Sequence, residues 1–171
     1  MTELGAYYAS GKCGRFVPVR LKTHTDITHG LRAVCEENGI KYGAIDGIGN
    51  VRQLNYQLLI PDAKAKHGVR LDKPQVLPGP LELLNLKGIV YQSEKGETMI
   101  HLHGIFSDNQ GRILGGHLAE GGNPILGTLN AFILELADAE MITQMDEDVG
   151  IGLCTPIGAF VKVKRNRHQP I

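Results

Sequence analysis

Seven histidines are spread along the 171 residues, and three of them, His101, His103 and His117, fall in one stretch, IHLHGIFSDNQGRILGGHL. Two histidines at i and i+2 on a strand project from the same face. His117 joins them only if the chain reverses, and Asp108–Arg112 (DNQGR) is suited to do that. A two-residue loop at Asn109-Gln110 would need positive φ at both positions, which Gln resists. A three-residue loop, with a type I turn and Gly111 in the left-handed region, fits better. Asp108 then pairs with Arg112, His103 lies opposite His117, and His101 sits diagonally on the same face. Opposed Cβ atoms are about 5 Å apart and diagonal ones about 7–8 Å, close enough for three imidazoles to converge on one ion. The same register sends Leu102, Phe106, Leu114 and Leu118 to the other face, an apolar set fit for a core. Three neutral imidazoles with a fourth position open is the catalytic type of zinc arrangement, and Fe, Ni or Co also suits it. Glu120 or Asp108 is a candidate second partner for a ring nitrogen. Gly104, Gly115 and Gly116 would let another chain or a ligand approach closely. The competing reading is three surface histidines on an exposed sheet face, with no function.

The elements around this hairpin follow from periodicity. Arg15–Thr23 alternates as a first strand. Thr25 or Asp26 can cap a helix whose apolar residues Ile27, Leu31, Val34 and Cys35 share one stripe, and Gly39 is its natural stop. Tyr42–Gly49 and Arg52–Ile60 read as two strands around a Gly-Asn turn. Residues 61–79, with three prolines, read as a surface excursion. Pro80–Gln92 is a strand, Glu94–Glu97 a charged turn, Thr98–Ser107 and Arg112–Glu120 the hairpin, and Pro124–Ala137 a long apolar strand. The tail from Lys162 onward is basic and expected to fray. The expectation is one α+β domain over residues 1–171, with its core at about 15–162 and a basic tail at 163–171. Its sheet is mixed, mostly antiparallel, with one main helix near the N-terminus.

Composition narrows the function. Lys plus Arg and Asp plus Glu are both 18, so the net charge is zero, against a binder built on bulk positive charge. Aromatics make up 5% with no Trp, which disfavours a base-stacking platform. Cys13, Cys35 and Cys154 are far apart and read as free thiols, and no secretory signal or membrane span is evident, so a cytoplasmic protein is expected. His24 and His29 flank the helix start, where an anion could sit, although a plain capped helix explains them as well. Glu82, on a strand, would need a partner if buried. The four cations Lys162, Lys164, Arg165 and Arg167 read as a solvated tail able to touch phosphates only weakly. No nucleotide-binding or nucleophile motif occurs.

The histidine segment resembles the PPC family, the plant and prokaryote conserved domain. The family pattern reads here as GPLELLNLKG (Gly79–Gly88), HLH (His101–His103) and DNQGRILGGHL (Asp108–Leu118), with DGIGNV (Asp46–Val51) upstream. The resemblance covers about Phe16 to Ala137. It implies a sandwich-like α+β fold, a homotrimer, and a metal held by the three histidines near subunit interfaces. It also implies DNA as a partner, by analogy with plant members that carry an AT-hook. This chain has no AT-hook, has Pro80 where many members have Arg, and has Asn130 where many have an acidic residue. The functions expected are therefore a metal-binding module with a DNA-binding or regulatory role, or a small metalloenzyme with a small-molecule ligand at the metal.

Overall fold

The computed structural model describes residues 5–162. Helix α1 (Ile27–Glu37) begins where a capping carboxylate precedes an apolar stripe. Asp26 is extended, and its Oδ1 accepts from the His29 amide while Oδ2 accepts from the Asn123 amide. Ile27, Leu31 and Cys35 are buried, and Val34 packs at the edge of the core. Asn38 closes the helix and Gly39, at φ 63°, turns the chain away.

The strands are β1 (Gly5–Tyr8), β2 (Lys12–Lys22), β3 (Gly43–Gln57), β4 (Leu59–Pro61), β5 (Val69–Leu71) and β6 (Gln75–Gln92), then β7 (Thr98–Asp108), β8 (Ile113–Leu118), β9 (Ile125–Ala137), β10 (Glu140–Asp146), β11 (Ile151–Ile157) and β12 (Ala159–Lys162). Eight of them form one sheet in the order β11-β10-β6-β7-β8-β3-β9-β2, and β1–β12 and β4–β5 form two small ribbons. Every pairing is antiparallel except β10 with β6, which meet at Ile142 and Gln92. Because β3 also pairs with β6, strands β3, β6, β7 and β8 close into a ring. The fold is mostly β with one short helix among the described residues, a mixed sheet as expected.

Three expectations need correction. Gly49-Asn50 is no turn: β3 runs unbroken for 15 residues, and its pairing with β9 slips between Gly49 and Val51. Asn50 Oδ1 accepts there from the Gly127 and Thr128 amides, tying the bulge to β9. Glycine is needed at 49 because a Cβ would stand 2.4 Å from the Thr128 carbonyl oxygen. Residues 61–79 are not all excursion, since β5 pairs with β4 and β6 already starts at Gln75. Lys162 lies in β12, opposite Gly5, and the rest of the basic tail lies outside the described residues.

One face of the sheet, with α1, encloses Leu54, Leu81, Leu83, Leu86, Leu102, Phe106 and Leu129, all buried. Bulges decide which residues face in. In β6 the pairing with β7 slips between Leu83 and Asn85, so odd residues point inward before the slip and Leu86 and Val90 after it. Glu82 faces outward and needs no buried partner.

Candidate metal centre

The β7–β8 turn has the geometry that the sequence predicts. Gly111 is at φ 76°, Gly111 N donates to Asp108 O, and Asp108 N donates to Arg112 O. The pairs are His103–His117, Gly104–Gly116, Ile105–Gly115 and Phe106–Leu114. Leu102, Phe106 and Leu118 are buried, Leu114 packs against them, and the histidines occupy the opposite face.

His101, His103 and His117 converge. His101 Nε2 is 2.9 Å from His103 Nε2 and 3.2 Å from His117 Nδ1, and one ligand atom from each ring lies within 4.8 Å of the others. Two nitrogens each bound to one zinc at about 2.0–2.1 Å with tetrahedral angles stand roughly 3.3 Å apart. Two of the three edges are already near that value, so the donor set fits a single transition-metal ion. The rings of His101 and His103 stack with centroids 5.0 Å apart, and that of His117 stands on edge to both.

The electrostatics favour neutral imidazoles. Burial, then the nearby His101 and His103 rings, push His117 down to about 4 from an ordinary 6.5. Burial first and His103 second lower His101 in the same direction. Neutral nitrogens are the form that binds a metal.

Several expected neighbours lie elsewhere. Glu120 Oε1 accepts from Arg32, and Asp108 accepts from Arg112 and from the turn amides. Neither bonds a histidine. The glycines beside the rings admit the protein's own strands: a Cβ on Gly116 would stand 2.7 Å from Gln57 O and one on Gly115 2.4 Å from Gly104 O. The helix N-terminus near His24 and His29 is filled by Asp26 and offers no anion seat. His67 faces Val149 O, outside the cluster.

Lys87 was missed as a neighbour of the centre. A row of directly paired residues crosses the sheet, Asp46 to Lys87 to His103 to His117. Lys87 Nζ donates to Asp46 Oδ2. Counting from the turn could not place Lys87, because the slip at Leu83–Asn85 shifts the register of β6. Next to the rings, a hollow of about 400 Å³ is lined by all three histidines with Gln57, Leu58, Leu59, Leu71 and Gly116.

The sequence model of the Plants and Prokaryotes Conserved (PCC) domain matches residues 8–137, which hold the whole histidine hairpin. The chain belongs to the PPC family. No curated protein matches it. Among solved structures, a metal-containing protein from Archaeoglobus fulgidus is similar at 26% identity and a TM-score of 0.70, over 85% of this chain and 96% of that one. A protein from Bacteroides thetaiotaomicron, named as a candidate DNA-binding protein, is similar at 25% identity and a TM-score of 0.67, over 88% and 96%. A PPC protein from Pyrococcus horikoshii shares the fold at 22% identity and a TM-score of 0.69, over 89% and 99%. No helix of the described residues is long and apolar enough to cross a membrane.

Proposed function

We propose that this PPC protein is a homotrimeric, cytoplasmic metal-binding module holding one divalent transition-metal ion per chain through His101, His103 and His117. The observation that carries the reading is the convergence of three ring nitrogens on one face of the β7–β8 hairpin. An all-imidazole set with borderline softness suits zinc first, with Fe, Ni or Co as the other occupants. The metal-containing relative from A. fulgidus supports this reading. The three cysteines are free, in keeping with a reducing compartment.

The trimer is supported by the outer face of the sheet. Phe16 stacks on Phe132 with centroids 5.0 Å apart, yet the two are 61% and 45% exposed. Ile48, Leu84, Ile105 and Ile113 are exposed as well, and Ile105 points the same way as His103. An apolar face of this kind is one that a symmetric assembly covers, which would bring the histidines near a subunit boundary. Light scattering should return three times the 18.6 kDa chain mass; a monomer at micromolar concentration would refute the trimer.

A bound metal would act as a Lewis acid, polarising an oxygen ligand or lowering the pKa of a bound water. The chain itself supplies the three orienting imidazoles, Lys87 beside them, and a partly apolar hollow. The hollow favours a small-molecule ligand and with it the metalloenzyme as second reading. DNA is a weak partner at most: with Lys162 at the end of β12 and the three basic residues after it as the whole contact, the slope of log K against log salt is about −3.6 at its steepest.

The deciding experiment is metal analysis of protein purified without chelator, expected to give about one ion per chain. His103→Ala and His117→Ala should each abolish it, and His67→Ala should not. Full metal in both hairpin variants, or none in the wild type, overturns the reading.

A further inference from the structure

The surroundings of the three histidines differ on two sides. On one side Lys87 stands directly across from His103, and a second hollow of about 400 Å³ is shared by Lys87, Gly88, Ile89, His101 and His103. The Lys87–Asp46 pair is more than half exposed at both ends, so it holds the ammonium only weakly. An ammonium has three donors, and the bond to Asp46 uses one of them. On the other side Leu59 and Leu71 of the β4–β5 ribbon, with Leu58 just before it, border the hollow that adjoins all three rings.

The ribbon is fastened in place. Asp72 accepts from the Leu58 amide through Oδ1 and from Gln75 Nε2 through Oδ2, and its backbone oxygen accepts from Gln57 Nε2. At the far end of the excursion, Lys66 donates to Glu147 O and His67 Nδ1 lies 3.1 Å from Val149 O. The leucines nonetheless stay well exposed, Leu59 at 66%. An exposed leucine wall held rigidly beside a polar centre is a surface that an apolar group can cover.

We propose that the ligand completing this centre is a small monocarboxylate with an aliphatic chain, its head toward the metal and Lys87 and its chain along Leu58, Leu59 and Leu71. This rests on the three-histidine metal reading. Three neutral imidazoles leave the full charge of a divalent ion uncompensated, so an anionic head neutralises it, and Lys87 adds a second attraction. A single charged head is required, because a second charge further along the molecule would be desolvated against the leucines.

The test is calorimetric titration of metal-loaded protein with acetate, butyrate and hexanoate, with hexylammonium as the cationic control. Metal content of every sample is measured first. Affinity should rise about fourfold per added methylene until the hollow is filled, and hexylammonium should not bind. Leu59→Ser should flatten the dependence on chain length and leave acetate unchanged. Lys87→Met should weaken all three carboxylates by about tenfold alike, as expected for loss of a charged hydrogen-bond donor. If metal is present but acetate and hexanoate bind equally, or if Lys87→Met changes nothing, the ligand assignment is overturned and the metal centre stands. If no metal binds to the wild type, both fall.

Discussion

Acid should destabilise the metal-free protein through His117 in a window set by its environment. The ring titrates at about 4 in the folded chain and at an ordinary 6.5 once unfolded. Between those values the unfolded state binds the extra proton, so stability rises with pH there. The contribution is therefore fully present above about pH 6.5, is lost progressively as pH falls, and is gone below about 4. A difference of about 2.5 units corresponds to about 3.4 kcal/mol at most. The ring is partly open to solvent, and its coupling to His101 spreads the effect, so about 2 kcal/mol is the working figure. The lowered His101 acts in the same sense. The assay is urea unfolding of chelator-treated protein at pH 7.5 and pH 4.5, comparing wild type with His117→Gln, which cannot titrate. Carboxylates common to both proteins cancel in the difference. Wild type should lose about 2 kcal/mol more than the variant over that interval. Equal losses would show that burial and the neighbouring rings do not hold His117 neutral. With metal bound the same low value helps, since the ion then meets little proton competition at His117 until pH approaches 4, lower than an ordinary imidazole would allow.

Three other outcomes follow from the packing. Gly111→Ala puts a Cβ at φ 76° with nothing within 4 Å to clash, so it should cost only about 1–2 kcal/mol in thermal unfolding and leave the histidine register intact. Asp26→Ala removes both the cap on His29 and the bond to Asn123, and should destabilise by about 1–2 kcal/mol, while Asp26→Asn, which keeps one acceptor oxygen for the cap and loses the bond to Asn123, should fall between wild type and Asp26→Ala. Gly49→Ala drives a Cβ to within 2.4 Å of a backbone oxygen that cannot rotate away, so its loss of stability should be the largest of the three, about 3 kcal/mol or more, or the yield of folded protein should collapse.

The hairpin was legible from sequence because everything that fixes it is local. A five-residue turn with one glycine sets the register, and each later pair follows from the period of two, which is why His103 falls opposite His117 and the leucines fall on the other face. Helix α1 was legible for the same reason, through Asp26, its apolar stripe and Gly39. What escaped is set by contacts between segments far apart in the chain. Gly49-Asn50 looks like a turn in isolation and becomes a bulge because Asn50 bonds to β9, more than seventy residues downstream. β10, β11 and the β1–β12 ribbon carry weak alternation, and their pairing depends on partners rather than on their own patterns. The leucine ribbon and Lys87 belong to the same class. Lys87 comes to stand beside His103 only after a bulge in β6 has shifted the phase of that strand, and no count along the sequence reveals the shift. The chain thus carries its three converging histidines in a local signal and the surroundings that would choose a ligand there in a non-local one. Ligand preference could therefore change through slips in β6 or rebuilding of the ribbon, while the H-L-H and G-G-H-L segments stay the same.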